Sequence, residues 1–238
     1  MIRPSVAQLW TQYNEDLEGI FSSPYCDVRG LITTAMGCLI DPFHLALALP
    51  WVIGERFATE AEIGDDWEML KGRKSELSHW QASKQAPLTS IRLRAEAIEV
   101  LVQRRLAANV AHIEAHLMPG FKEFPADSQM GILSLAWAIG AGFDKAKPPR
   151  PEFVAACNAG DWISAKVYAK LRESNNAGVV QRNRKQEICF DNAQTVRDRG
   201  LDPAALWWPN VCPKEDSLHT LAVRALELGI ARDDKKTS

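Results

Sequence analysis

The sequence predicts a mainly α-helical, α+β fold with one small β-hairpin near its N-terminus. Apolar residues recur at helical spacing through the first twenty or so residues and again from about 93 to 117. Residues 130–139 are apolar nearly all round, which is typical of a helix buried at the centre of a fold. With 238 residues, 46% of them hydrophobic, the chain can bury one substantial core.

Most of the chain is predicted to be helices separated by short breaks. A first amphipathic helix extends over Val6 to Phe21 and is closed by Pro24. Gly30 can take the positive φ of a tight reversal, so the segments beside it are predicted to pair as a hairpin. Capping and punctuation residues predict the remaining elements, which are helices at about 59–71, 151–159, 161–173, 179–197 and 215–229, a loop at 72–87 and a disordered tail at 232–238.

Composition argues against several classes of protein. The 28 basic and 30 acidic residues give a net charge of −2, which does not favour a nucleic-acid partner. The five cysteines form no C-x-x-C pair, so reduced thiols are expected, with no metal and no cofactor. The N-terminus lacks an apolar signal segment and the most apolar run, 45–53, is too short to span a membrane. Synthesis in the cytoplasm without a signal peptide is therefore expected.

Two carboxylates near the hairpin suit glycosidic hydrolysis, which needs an acid for the leaving oxygen and a second carboxylate for water. Glu18 follows an apolar helical stripe, where desolvation would raise its pKa and keep it protonated. Asp27 lies at the hairpin rim, and Thr33 on the returning strand offers a hydroxyl to hold a water. On residue type alone, both carboxylates also fit ordinary solvated surface charges.

The spacing of six residues around the hairpin resembles the active-site signature of the phage-type lysozymes, the muramidase family of the T-even phages. The matching residues are Glu18, Gly19, Tyr25, Asp27, Gly30 and Thr33. The resemblance implies that Glu18 is the general acid, that Asp27 supports the attacking water and that Thr33 helps to place that water. It further implies a substrate contact for Tyr25 and an inverting cleavage of the β-1,4 bond between N-acetylmuramic acid and N-acetylglucosamine.

The resemblance extends to later segments. Residues 129–140 are similar to the family's buried central helix, and 176–184 resemble a segment near the cleft, in which Arg182 is implied to contact substrate. A surface ion pair is an equally good interpretation of Arg182. The implied architecture is a lysozyme-like fold with a small hairpin lobe and a larger helical lobe, in one catalytic domain over 1–212 with an enlarged insert at 39–90. Residues 213–238 would add a C-terminal helix and tail.

Cys38 occupies a position where the family usually has histidine. In the T-even phage enzyme that histidine pairs with an aspartate on a later helix, and the corresponding region here offers Arg104 and Arg105. Cys38 could also be a nucleophile, but no His or Asn arrangement supports it. His112 and His116 could ligate a metal, and Trp207 and Trp208 could stack on sugar rings.

Two alternatives keep this fold and change the activity. One is a lytic transglycosylase, which needs the acid and can dispense with the second carboxylate. The other is a non-catalytic protein that binds or assembles peptidoglycan, because fold alone does not fix function. In every case the partner is the bacterial cell wall, reached by a monomer after lysis or by way of a holin, a phage tail or a secretion apparatus. The sequence does not choose between a phage lysis enzyme, a tail component and an antibacterial effector.

Overall fold

The computed structural model describes residues 2–143, 145, 150–174 and 176–213, which form ten α-helices and five short strands. The helices are α1 (Pro4–Glu18), α2 (His44–Leu47), α3 (Glu60–Gly72), α4 (Lys74–Leu77), α5 (Ala82–Gln85), α6 (Ala95–His116), α7 (Ala126–Ile139), α8 (Pro151–Asn158), α9 (Trp162–Ala169) and α10 (Ala177–Arg199). The strands are β1 (Phe21–Cys26), β2 (Ile32–Ala35), β3 (Cys38–Leu39), β4 (Val52–Ile53) and β5 (Arg56–Phe57). The prediction of a mainly helical chain with a small antiparallel sheet is confirmed.

The first helix ends earlier than predicted. Gly19 takes a φ of +70° and its N–H donates to the carbonyl of Glu15, which terminates α1 after Glu18. Phe21, predicted as helical, instead begins β1, and Pro24 lies inside that strand. Phe21 follows Leu17 by four residues and therefore fits the helical spacing, although it is the first residue of strand β1.

The hairpin forms where the glycine predicted it. Strands β1, β2 and β3 pair in that order as an antiparallel sheet, with Tyr25 opposite Thr33 and Thr33 opposite Leu39. Gly30 has a φ of +76° in the turn between β1 and β2. Its N–H donates to the carbonyl of Asp27 at 2.9 Å, so the turn closes directly after the predicted base.

Two hydrophobic cores lie on either side of this sheet. The larger core packs α1, α7, α8, α9 and α10 together with Ala35 and Met36 at the end of β2. The smaller core contains Ile32 and Ile40 from the hairpin region, and Trp51 and Leu70 from the segment between β3 and α6. Residues Ile98 and Leu101 of α6 pack against both cores. Helix α6 therefore joins the two parts of the fold.

Helix α7 is the most enclosed element. Every residue from Ala126 to Trp137 is buried, including the nearly all-apolar stretch from residue 130 that predicted a central helix. Asp127 at its start accepts the backbone N–H groups of Trp207 and Trp208 and the side-chain amide of Asn192. These bonds hold the segment after α10 against the central helix, which explains a fully buried carboxylate at this position.

The segment predicted as a loop at 72–87 is folded. It contains α4, α5 and a 3-10 helix at Ala86–Leu88, all too short to show a helical period. Thr59 and Glu62 form the predicted capping box at the start of α3. The helix predicted at 215–229 and the tail at 232–238 lie outside the described residues.

None of the helices in the described ranges combines the length and apolar character needed to cross a bilayer. The five cysteines are free and buried, as predicted. The three helices predicted around 151–199 are all present with shifted ends, since the second stops at Ala169 and the third begins at Ala177.

Candidate active site

Glu18 is the last residue of α1, and its position depends on the glycine that follows. A Cβ on Gly19 would lie 2.9 Å from the Phe21 ring, so only glycine lets the chain leave the helix and enter β1 at once. The Glu18 side chain is 22% exposed. A carboxyl group at a helix end, next to the sheet and still open to solvent, is well placed to meet a ligand.

Arg182 on α10 forms an ion pair with Glu18 through Nη2 and Oε1. The other guanidinium nitrogen, Nη1, donates to the carbonyl of Ser134 at 3.0 Å and to its hydroxyl at 3.1 Å. The Arg182 side chain is only 7% exposed. The interpretation of Arg182 as a surface ion pair is therefore wrong, because the Arg182 side chain is buried and its partner is the proposed catalytic acid.

The protonation of Glu18 is set by opposing effects. Burial raises the pKa of Glu18, while the positive charges of Arg182 and Arg105 limit that rise. Tyr25 and Cys38 also face this carboxyl group, since its charge contributes to the raised pKa of each of them. The net pKa of Glu18 lies above the ordinary value for a glutamate, as the sequence predicted.

Asp27 is held by its own turn. Its Oδ1 accepts the backbone N–H groups of Arg29 at 2.8 Å and Leu31 at 2.9 Å. Within the described ranges no group donates to Oδ2, so this oxygen is open to water. The two backbone N–H groups fix the orientation of the Asp27 carboxyl group at the rim of the hairpin, where the sequence predicted a base.

Tyr25 lies within range of the charges of both Glu18 and Asp27, and Thr33 is its partner on the next strand. They face each other across β1 and β2, and the Thr33 hydroxyl is 3.4 Å from the carbonyl oxygen of Tyr25. Burial raises the pKa of Tyr25, Thr33 opposes this through a hydrogen bond, and the charges of Glu18 and Asp27 add to the rise. The fold thus brings four of the predicted site residues together around the Tyr25 side chain, and Arg182 joins them through Glu18.

Arg105 on α6 belongs to the same site. The sequence analysis placed it in the region opposite Cys38 but assigned it no contact with the candidate acid. Its Nη1 donates to the carbonyls of Gly37 at 2.7 Å and Met36 at 3.2 Å, and its Nη2 donates to Trp137 at 2.8 Å. The guanidinium also packs 4.0 Å from the centre of the Trp137 ring. Arg105 therefore links the β2–β3 turn to the end of α7, next to the acid.

Cys38 and Arg105 are neighbours in the structure. Burial raises the pKa of the Cys38 thiol, and Arg105 opposes that rise through charge and a hydrogen bond. A thiol with a raised pKa is mostly protonated and is a poor nucleophile, which argues against the interpretation of Cys38 as a nucleophile. The signal that could have identified Arg105 was its position beside the buried stripe of α6.

Other predicted residues do not reach this site. Trp208 is buried, with its ring 4.8 Å from that of Tyr13, so its predicted stacking on sugar is wrong. Trp207 is partly buried beside it, and its backbone N–H is bound by Asp127. The rings of His112 and His116 contact each other at a tilt, with their centroids 4.8 Å apart. The described ranges contain no cluster of three His, Cys, Asp or Glu residues that could hold a metal ion.

The arrangement offers two carboxyl groups with different tasks. Glu18 is desolvated and can donate a proton, whereas Asp27 is oriented by two backbone donors of its turn and keeps one oxygen open. Such a pair can cleave an acetal by acid and base catalysis. A scan against known protein families finds no family model that matches this chain, and a search of curated proteins finds no matching relative.

Proposed function

We propose that this chain is an inverting muramidase, which hydrolyses the β-1,4 bond between N-acetylmuramic acid and N-acetylglucosamine in bacterial peptidoglycan. The observation that carries the proposal is the contrast between Glu18, desolvated at a helix end, and Asp27, oriented by backbone N–H groups in the adjacent hairpin. The six-residue spacing around that hairpin supports it. The small hairpin part and the larger helical part, built around buried α7, also suit a lysozyme-like fold.

In the proposed reaction, Glu18 donates its proton to the glycosidic oxygen as the bond to the leaving sugar breaks. Asp27 accepts a proton from a water that attacks the anomeric carbon from the opposite face, and the Thr33 hydroxyl helps to hold that water. Arg182 stabilises the Glu18 carboxylate that remains after the transfer. Tyr25 contacts the substrate between the two carboxyl groups.

The test is the release of fragments from purified Gram-negative sacculi free of outer membrane. The wild type is expected to clear them, and Glu18→Gln is expected to lower the rate by about 10²–10⁴-fold because it removes the transferable proton. Glu15→Gln is the matched control, since Glu15 is exposed on the same helix. A Glu18→Gln variant that clears sacculi as fast as wild type would contradict the assignment of the acid.

Mass spectrometry of the fragments separates the alternatives. Reducing muramic ends indicate hydrolysis, whereas anhydro-muramic ends indicate a lytic transglycosylase. The structure favours hydrolysis, because Asp27 and Thr33 provide the water-activating groups that a transglycosylase does not need. If the protein sediments with sacculi and releases no fragments, the proposed enzymatic activity is wrong. The alternative of a non-catalytic peptidoglycan-binding protein then applies.

A further inference from the structure

A cavity of about 420 Å³ opens beside the candidate acid, between β3, the α2 region and α6. Gly37, Cys38 and Arg105 form one end of it. A Cβ on Gly37 would lie 3.9 Å from Oε2 of Glu18 and 4.0 Å from the Tyr25 hydroxyl. The cavity therefore begins within one residue of the proposed reaction site.

A second cavity of about 330 Å³ continues the first one along α6. The two share Ala48, Leu49, Leu101 and Arg104 in their walls. We call the combined depression the α6 groove. Its rim exposes large apolar side chains, which are Leu39 at 50%, Leu45 at 38%, Phe57 at 66% and Val100 at 57% exposure.

The charged groups of the α6 groove are three arginines and one glutamate, in a chain whose net charge is −2. Arg105 is occupied by backbone carbonyls, and Arg94 donates to the carbonyl of Glu55. Arg104 is exposed, and no residue in the described part of the chain forms an ion pair or hydrogen bond with it. It is therefore a cation available to a ligand, in the middle of an apolar groove.

The chemistry of the proposed substrate identifies what such a cation would meet. In an intact strand the lactyl carboxyl group of each muramic acid is joined to its peptide as an amide, so the carboxylates lie on the peptides. These peptides also carry small apolar side chains. A groove with apolar walls and a central arginine complements such a peptide in both charge and polarity.

We infer that the α6 groove binds the carboxylate-bearing peptide of the glycan strand, with Arg104 as the residue that recognises its carboxylate. This inference depends on the proposed substrate. Arg104 sets substrate preference and takes no part in the chemical step, because the reacting groups are on α1 and the hairpin. Its loss should therefore raise KM on peptide-bearing strands and leave kcat unchanged.

The experiment compares soluble, uncrosslinked glycan strands that carry peptides with the same strands after an amidase has removed the peptides and the lactyl carboxyl groups freed by it have been capped as methylamides. Arg104→Gln should raise KM for peptide-bearing strands about fivefold, the size of one exposed charge pair, and leave bare strands unaffected. Lys122→Gln is the control, since it removes one positive charge from a side chain that is 62% exposed outside the groove. An equal effect of Arg104→Gln on both strands, or none, would overturn the inference.

Equilibrium binding in the Glu18→Gln background separates this inference from the proposed activity. We expect the Glu18→Gln variant to bind peptide-bearing strands more tightly than bare strands. Adding Arg104→Gln should weaken binding to the peptide-bearing strands about fivefold and leave binding to bare strands unchanged. If the wild type releases no fragments but this preference is present, the muramidase proposal fails and the peptide site stands. If the preference is absent, the peptide site is wrong whatever the activity.

Discussion

The two carboxyl groups of the candidate site are held in opposite ways. Glu18 depends on distant parts of the chain, because its partner Arg182 is on α10 and is itself held by Ser134 of α7. Asp27 depends on residues within its own turn, the N–H groups of Arg29 and Leu31. The acid is thus tuned by tertiary packing, and the base by local geometry.

This difference predicts different responses to mutation. Changes around Glu18 should alter its pKa, because charges from α6 and α10 set it. Changes around Asp27 should act through the shape of the hairpin and the packing beneath it. The predictions below test that contrast.

Asp27→Asn should separate chemistry from structure. The amide oxygen can still accept the two backbone N–H groups, so the turn should survive, while the base is lost and activity should fall about 10²–10³-fold. Asp27→Ala removes the acceptor as well and should also cost about 1–2 kcal/mol in the free energy of unfolding. Fragment release and urea denaturation measure the two effects. Full activity of Asp27→Asn would contradict the role as base.

Gln85→Ala should destabilise the hairpin side of the molecule. Gln85 is fully buried, and its amide bonds the backbone N–H and carbonyl of Cys26, next to Asp27. It also donates to the carbonyls of Leu77 and Trp80. Losing these partners should lower the free energy of unfolding by about 3 kcal/mol.

Urea denaturation of Gln85→Ala measures this loss, with Gln81→Ala as the control because Gln81 is exposed and caps no helix through its side chain. Equal stability of the two variants would show that the insert does not support the hairpin.

Arg182→Gln should shift the pH profile. The acid acts in its protonated form, so activity falls as pH rises through the pKa of Glu18. Burial already raises that pKa, and removing the Arg182 charge should raise it further, moving the basic limb of kcat/KM upward by about one pH unit. Arg105, Tyr25 and Cys38 still face the carboxyl group in this variant.

Arg182→Lys keeps the positive charge and is the control, so its basic limb should stay close to that of the wild type. A limb that is unchanged in Arg182→Gln, or moves downward, would mean that Arg182 does not influence the acid.

Thr33→Val should have the smallest effect, about fivefold in kcat, because it removes one hydroxyl near the attacking water and keeps the side-chain shape. Thr34→Val is the control. Adjacent strand residues point to opposite faces, and the Thr34 hydroxyl donates to the carbonyl of Ser23 at 3.1 Å. That change should affect stability rather than turnover. If Thr34→Val lowers kcat more than Thr33→Val does, the attacking water lies on the Thr34 face of β2 and the assignment of Thr33 is wrong.

The sequence predicted those parts of the fold whose signals are local. The capping box of Thr59 and Glu62 and the positive φ of Gly30 each depend on a few neighbouring residues. The folded state of 72–87 was missed because α4 and α5 each span a single turn and bury one side chain, Leu77 and Gln85. A helix that buries a single residue shows no repeating spacing of apolar residues in its sequence.

The same distinction applies to the site. A motif of fixed spacing singled out Glu18 and Asp27. The raised pKa of Glu18 is as predicted, and the roles of acid and base stay predictions. Arg105 was missed because its partners, the carbonyls of Met36 and Gly37, are nearly seventy residues away and carry no side-chain signature. The sequence does not show which backbone carbonyls lack a backbone donor and accept a hydrogen bond from a distant side chain instead.

Helix α6 has a consequence for how this chain could be divided. Its 22 residues make a rod about 33 Å long, and Ile98 and Leu101 on it touch both cores. A cut within this helix would leave each fragment without one wall of its own core. Neither fragment should then fold alone, so a split version of this protein should regain structure only when both pieces are present together.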